Sequence, residues 1–369
     1  MVIEIHLKVF HTEEGGPTGD RSARPTEMAP TMRIVVTGYG VDAPESHLRL
    51  QVADPLRFLG HEVVAVAPTK AAIKWGLDRY SPEILIVIPA AGVPDREEIR
   101  ALTSASETVA LCLHTGSSLQ GAVTDLGGLS DDLREYDLVA VPDLQTFDEY
   151  TNLGTFRLSL MEPAVHPPAL MNFVPSERRG VVVIGDADPT NVDVVMSFDH
   201  LDDVVVVGEG WSELPLNVSI VDVMPLPERA TLFAGARLLV ELPVSLAHQS
   251  QVRKSFFELG LSKSVYEAAV VGTPALVQAR AAVDKVLAPG EEIVTFQSSE
   301  DLADLVPVLV ADKRELEKIG EAAWSRVTAQ HTWAQRWRSL FAPWVDDVEV
   351  ARDEEVRYLG QVQSLSRAG

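Results

Sequence analysis

Four short runs constrain this chain more than anything else in it: RIVVTG (Arg33–Gly38), EILIVIP (Glu83–Pro89), GVVVIG (Gly180–Gly185) and DVVVVG (Asp203–Gly208). Each is apolar and rich in β-branched residues, without the in–out alternation of a half-solvated strand. That pattern belongs to strands covered on both faces, as in a parallel sheet between two layers of helices. Helical stretches separate them. Ser46–Gly60 carries apolar residues at Leu48, Val52, Leu56 and Leu59, and Asp95–Ser104 is a second amphipathic stretch. Further strands are expected at His61–Pro68, Thr108–Leu113, Asp137–Val141, Asn217–Val221 and Ala236–Leu242, and helices at Thr190–His200 and Pro227–Gly235. Alternating strands and helices on this scale predict an α/β protein built of doubly wound, Rossmann-like sheets.

A length of 369 residues exceeds one ordinary core, so two domains are expected. The segment EPAVHPPALMNFVPSERR (Glu162–Arg179), with four prolines and little periodicity, marks the boundary. We expect a disordered N-terminal extension over 1–31, rich in Gly, Pro, Glu and Thr. A first domain then runs over 32–165, a linker over 166–180 and a second domain over 181–330. A closing helix and an acidic tail occupy 331–369.

The formal net charge is −23 and Lys and Arg are nowhere clustered, which argues against a nucleic-acid partner and against a purely electrostatic hold on anionic lipid. The single cysteine, Cys112, excludes an internal disulfide and reads as core filler within VALCLH. No apolar run reaches transmembrane length and the N-terminus lacks the signal-peptide order, so a cytoplasmic protein without a membrane anchor is expected.

Gly38-Tyr39-Gly40 follows the first strand, but Ala43 leaves the dinucleotide fingerprint GxGxxG incomplete. Gly38 and Gly40 let their loop approach an acceptor or a donor's phosphates; ligands of doubly wound sheets sit beyond the carboxyl ends of the strands, which makes His114, Thr115 and Gly116 cleft candidates. His114 reads equally as a strand-end histidine bonded to a backbone carbonyl. Ser117 and Ser118 lack the context of a nucleophile elbow.

The stretch GLSKSVYEAAVVGTPALV (Gly260–Val277) reads as loop, short helix, turn and buried strand. Ser262 or Ser264 can cap the helix, Val265, Ala268 and Ala269 form its apolar face with Glu267 off that face, and Gly272-Thr273-Pro274 ends it. A carboxylate there suits a ribose diol, because it can accept from two hydroxyls at once. Glu267-Ala268-Ala269 followed by Gly272-Thr273-Pro274 resembles the donor-site signature of GT-B fold glycosyltransferases, especially the retaining group 1 type. LRFLGHEVVAVAP (Leu56–Pro68), VVVVGEGW (Val204–Trp211), LPERATLFAGARLLVELP (Leu226–Pro243), VADKRELEKIGEAAWSRV (Val310–Val327) and HTWAQRWRSLF (His331–Phe341) extend the resemblance in family order over residues 32–344.

The resemblance implies two Rossmann-like domains with a donor cleft between them. It also implies transfer of a sugar from a nucleoside diphosphate sugar to a hydroxyl of a small-molecule, glycan or protein acceptor, with retention. No cofactor or metal is required on this reading. Glu267 would bind the ribose, with Ser264, Gly272, Thr273, Gly208, Gly210 and Trp211 around the donor. Gly38, Gly40 and Thr115 would lie on the acceptor side, and His114 would contact sugar or acceptor.

The sequence departs from the family at two points. Glu258 precedes Glu267 with eight residues between rather than seven, and GDADPTNVDVV, after the first strand of the second domain, contains no Lys or Arg where the family places a basic pair. Arg253, Lys254 and Lys263 are the substitutes for gripping the diphosphate, helped by a helix N-terminus. These departures suggest a divergent, spore-maturation-type branch. They leave open a non-catalytic subunit of the same fold or a nucleotide-sugar epimerase. Trp333, Trp337 and Phe341 recur at helical spacing and read as packing.

Overall fold

The structure is a computed structural model. It describes residues 31–38, 40–41, 46, 48–90, 92–114, 135–142, 147–148, 150–151, 157–170, 177–221, 226–243, 261–280 and 282–345. The expected disorder over 1–30, the acidic tail, and the candidates Thr115, Gly116, Arg253, Lys254 and Glu258 lie outside these residues.

The first half builds a six-stranded, all-parallel sheet: β1 (Arg33–Thr37), β2 (Glu62–Val66), β3 (Ile84–Val87), β4 (Val109–Leu113), β5 (Leu138–Val141) and β6 (Leu158–Leu160), in the order β2-β1-β3-β4-β5-β6. Val35 pairs with Val64 on one side and Leu85 on the other, so the β-branched run of β1 is enclosed by neighbours as its pattern requires. The second half builds another all-parallel sheet: β7 (Val181–Ile184), β8 (Val204–Val207), β9 (Ser219–Val221), β10 (Leu238–Glu241), β11 (Ala275–Gln278) and β12 (Val294–Phe296), in the order β12-β11-β10-β7-β8-β9.

Both orders reverse direction once, between β1 and β3 in the first sheet and between β7 and β10 in the second. A glycine stands at each reversal, just past the strand. A Cβ on Gly38 would lie 2.9 Å from the Cβ of Ile88, and one on Gly185 would lie 2.8 Å from that of Leu242. Each glycine therefore lets two strand exits approach at the switch point, outside which doubly wound sheets bind ligands.

The helices are α1 (Asp54–Phe58), α2 (Lys70–Tyr80), α3 (Arg96–Ser106), α4 (Pro189–Met196), α5 (Leu226–Gly235), α6 (Lys263–Val270), α7 (Val283–Val286), α8 (Ser299–Ala311), α9 (Lys313–Gln330) and α10 (Trp333–Val345). Sequence reading left α2 unassigned, although Thr69 caps it by accepting from the Ala72 N–H and Ile73 and Leu77 face the core. It also missed β6 and the division of α8 from α9 at Asp312, whose carboxylate caps α9 through the Glu315 N–H.

The expected single helix over 46–60 is instead a π-helical turn, Arg49–Ala53, leading into α1. Pro55 supplies the reason. Having no N–H, it cannot bond to the carbonyl of Gln51, and the ladder widens around it. The released Gln51 carbonyl accepts from the Trp337 indole N–H at 2.8 Å. Trp337 belongs to α10, which crosses from the end of the second half to the core of the first. Trp333, Trp337, Leu340 and Phe341 are buried in one cluster with Ile34, Val36, Leu56 and Ile86, which is the packing role their spacing predicts.

Candidate functional site

Helix α6 is almost wholly enclosed: Val265 through Val270 are all buried, against α5 on one side and α9 on the other. Small residues make this approach close. A Cβ on Gly320 of α9 would lie 2.3 Å from the carbonyl oxygen of Gly272. Ser262 occupies the N-cap position as expected, but its hydroxyl makes no capping bond.

Glu267 is the exception in this apolar helix. It is 2% exposed, so its carboxylate does not face open solvent, contrary to the expectation that it points off the buried face. Its charge is balanced by Arg229 of α5. The guanidinium Nε donates to Oε2 at 2.7 Å and Nη2 donates to Oε1 at 3.0 Å, a two-pronged geometry that fixes the carboxylate plane. Lys263, one turn earlier on the same face, places Nζ 3.7 Å from Oε1, with 39% of its side chain exposed. Burial holds the Lys263 ammonium below its ordinary pKa and Arg229 adds to this, against the pull of Glu267. A lysine at the first position of a helix also opposes the helix dipole, by about 0.3–1 kcal/mol. A bound anion would reverse both penalties.

Glu267 and Lys263 form one wall of a cavity of about 50 Å³. The other wall comes from the first half and the crossing segments: Gln51 of the π-turn, His166, Leu170 and Trp333. Burial lowers the His166 pKa, with Asp54 acting in the opposite direction.

The other candidates occupy different places. Gly272 and Thr273 lie before β11, at the end of the sheet opposite the strand exits. The Thr273 hydroxyl donates to Phe233 O at 2.6 Å and accepts from Arg178 Nη1 at 2.6 Å, while Arg178 Nη2 donates to Val271 O. This turn anchors the helix end, where the Thr273 N–H also donates to Ala268 O at 2.8 Å. Trp211 is fully buried, with its indole N–H bonded to Gly185 O at 2.7 Å, so its ring is not available for stacking on a ligand. Gly208 lies beside it: a Cβ there would meet Gly185 O at 2.1 Å. Gly210 follows in a left-handed turn (φ +81°) next to Ala187, and Gly40 is similar (φ +73°) next to Ser46. Ser264 is half-buried on the first turn of α6.

His114 directly follows β4, at the exit of that strand. It is 3% exposed, edge-on to Tyr150 at 5.7 Å, with Nε2 3.5 Å from the Cys112 sulfur. Its backbone N–H bonds to Ala140 O at 2.9 Å. Burial pushes the His114 pKa down to about 4, and burial with Arg336 nearby does the same for His331. A histidine whose folded pKa lies below its unfolded value near 6.5 stabilises the fold above that value and loses the contribution as pH falls toward 4. We therefore expect the melting temperature to drop between pH 6.5 and 5, a window in which most carboxylates do not yet titrate. A melting temperature that stays level across that window would contradict the two neutral, buried rings.

Beyond β7, where the resemblance implied a basic pair, the loop is acidic and its carboxylates accept from backbone N–H groups. Asp186 accepts from the Glu209 N–H at 3.0 Å, and Asp188 caps α4 through the N–H groups of Thr190 and Asn191. At the exits of β10 and β11, Glu241 and Arg280 form a half-buried pair at 2.8 Å. Sequence reasoning missed Arg229, Glu241 and Arg280. Arg229 stands in LPERATLFAG, a stretch already noted, but nothing local shows that it meets a residue 38 positions later. Among the described residues, no three His, Cys, Asp or Glu side chains are grouped as a metal site, and no helix is long and apolar enough to cross a membrane.

Comparison with solved structures identifies the arrangement of the two sheets. Sucrose-phosphate synthase from Thermosynechococcus elongatus is similar with a TM-score of 0.53 at 13% identity, covering 85% of this chain and 100% of that one. A glycosyltransferase from Rickettsia africae gives 0.57 at 11% identity, covering 85% and 97%. Anabaena Alr3699/HepE in complex with UDP and glucose gives 0.55 at 10% identity, covering 84% and 98%. The architecture is GT-B. Within this GT-B chain, residues 193–342 match the family model described as glycosyl transferase-like, a segment that contains Arg229, Lys263 and Glu267. No curated protein shows significant sequence similarity to the chain.

Proposed function

We propose that this chain is a glycosyltransferase that moves a sugar from a nucleoside diphosphate sugar to an acceptor hydroxyl, with retention. The observation that carries the reading is the buried Glu267 carboxylate, held beside Lys263 on a cavity wall within the glycosyl transferase-like segment. The UDP and glucose held by Alr3699/HepE support a nucleotide-sugar donor. On this reading residues 32–165 serve the acceptor and 181–330 the donor, joined by 166–180 and by the returning α10.

Glu267 accepts from the ribose hydroxyls. Lys263 lies close enough to serve the diphosphate, and Arg253 and the first turn of α6 at Ser264 are the further candidates. In the reaction the bond from the anomeric carbon to the diphosphate oxygen breaks and the acceptor oxygen bonds to the same face of that carbon. The acceptor proton passes to the departing phosphate oxygen. The protein's contribution is charge stabilisation of that leaving group, where pre-placed cations act most strongly.

The acidic loop Asp186–Asp188 favours a second reading, a binding subunit that has lost turnover. A melting-temperature panel with UDP-, GDP-, dTDP-, ADP- and CMP-sugars tests the first requirement, because a ligand of the folded state stabilises it by about 2.7 kcal/mol at a hundredfold excess over its Kd. One donor is expected to shift the melt, and acceptor-dependent release of its nucleotide is expected to follow. Lys263→Ala should slow that release at least tenfold while leaving the melt within about 1 kcal/mol of wild type, since the side chain is partly solvated. A shift without release would establish the binding subunit, epimerised donor without transfer would indicate an epimerase, and no shift with any donor would refute the donor site.

A further inference from the structure

We propose that Arg229 is a positioning residue for the nucleotide's ribose, acting through Glu267; this rests on the glycosyltransferase reading above. Glu267 is 2% exposed, and burying a carboxylate costs far less when a hydrogen-bonded cation pairs with it. Lys263 does not suffice: its ammonium is a point charge 3.7 Å away on a side chain 39% exposed. An ammonium at that distance leaves the carboxylate free to rotate.

Arg229 supplies what is missing. Its planar fork takes one acceptor position on each carboxylate oxygen, at 2.7 and 3.0 Å, and so sets the plane in which the remaining positions lie. Arg229 itself is held on α5, a different element from Glu267, and its side chain is only 23% exposed. Glu267 lines the cavity, so an acceptor position that Arg229 leaves can be offered to a ribose hydroxyl there. A ribose brings two hydroxyls that can donate to such an outer acceptor position; a 2′-deoxyribose brings one.

The test compares ribonucleotides with their 2′-deoxy counterparts on the full chain. Affinities of UDP, GDP, ADP and CDP, each beside its 2′-deoxy form, are measured by calorimetry for wild type, Arg229→Lys and Arg229→Met. Wild type is expected to prefer one ribonucleotide over its deoxy form by at least about tenfold, the scale of one hydrogen bond to a charged group. Both variants should lose most of that preference, Arg229→Lys included, because a lysine keeps the charge without the fork. The lysine variant guards against failure of the methionine variant to fold. A merely structural ion pair would change stability and leave the ratio alone. Folded variants that keep the full ribose preference would overturn the proposal. Wild-type binding with no ribose preference would instead remove Glu267 from the ribose, and absence of binding by all eight nucleotides together with no melting shift from any donor sugar would refute the donor reading itself.

Discussion

Glu267→Ala is expected to weaken donor binding by about 1.5–3 kcal/mol, roughly ten- to hundredfold, because it removes a charged acceptor of hydroxyl hydrogen bonds. The same change is expected to destabilise the fold. Removing one partner of a fully buried ion pair costs about 3–5 kcal/mol. Here the stranded cations are Arg229, 23% exposed, and Lys263, 39% exposed, so solvent relieves part of that penalty and a loss of about 1–3 kcal/mol is expected. Glu267→Gln separates the two effects. It keeps the volume and one acceptor oxygen, so it should recover part of the stability while still binding donor poorly. Calorimetric titration together with chemical denaturation reads both quantities, and unchanged donor affinity in a folded Glu267→Ala protein would remove this residue from the site.

Trp337→Ala is expected to be the most damaging single change to the fold, at about 3–5 kcal/mol. The side chain is fully buried among the first sheet's core residues, packs on Phe341 at 5.4 Å, and donates to the Gln51 carbonyl that Pro55 leaves without a partner. Alanine would open a cavity and strand that carbonyl at once. Trp337→Phe should retain most of the packing and lose the hydrogen bond, at about 1–3 kcal/mol. Because Gln51 and Trp333 also line the cavity next to Glu267, both variants should weaken donor binding more than their distance from the donor helix suggests. Denaturation midpoints within 1 kcal/mol of wild type for Trp337→Ala would show that α10 is not integral to the first core.

The fold was legible where the signal is local. RIVVTG and GVVVIG became the central strands β1 and β7 with their glycines at the two switch points, because a strand buried on both faces must be apolar throughout and a close strand exit excludes a Cβ. The ordered series of phrases also pointed to the GT-B architecture. The helix over 46–60 was misread because an apolar period cannot distinguish 3.6 residues per turn from a π-turn that one proline induces. The site was legible only in part. Glu267 and Lys263 lie together on a cavity wall, whereas Trp211, Thr273 and His114, singled out by the resemblance or by a strand-end position, are packed and hydrogen-bonded inside.

The sequence by itself determined the alternation of strand and helix, the glycines at the strand exits and the charge inventory, since each depends on residues within a few positions of one another. Only the tertiary structure decided which cation meets which carboxylate. Arg229 reaches Glu267 because α5 and α6 pack side by side, with Ala230 and Phe233 of α5 in one apolar cluster with Val265 and Ala268 of α6. Pattern and spacing record which face of a helix is apolar. They do not record which partner helix lies against it, and that partnership is what holds the buried carboxylate in one orientation.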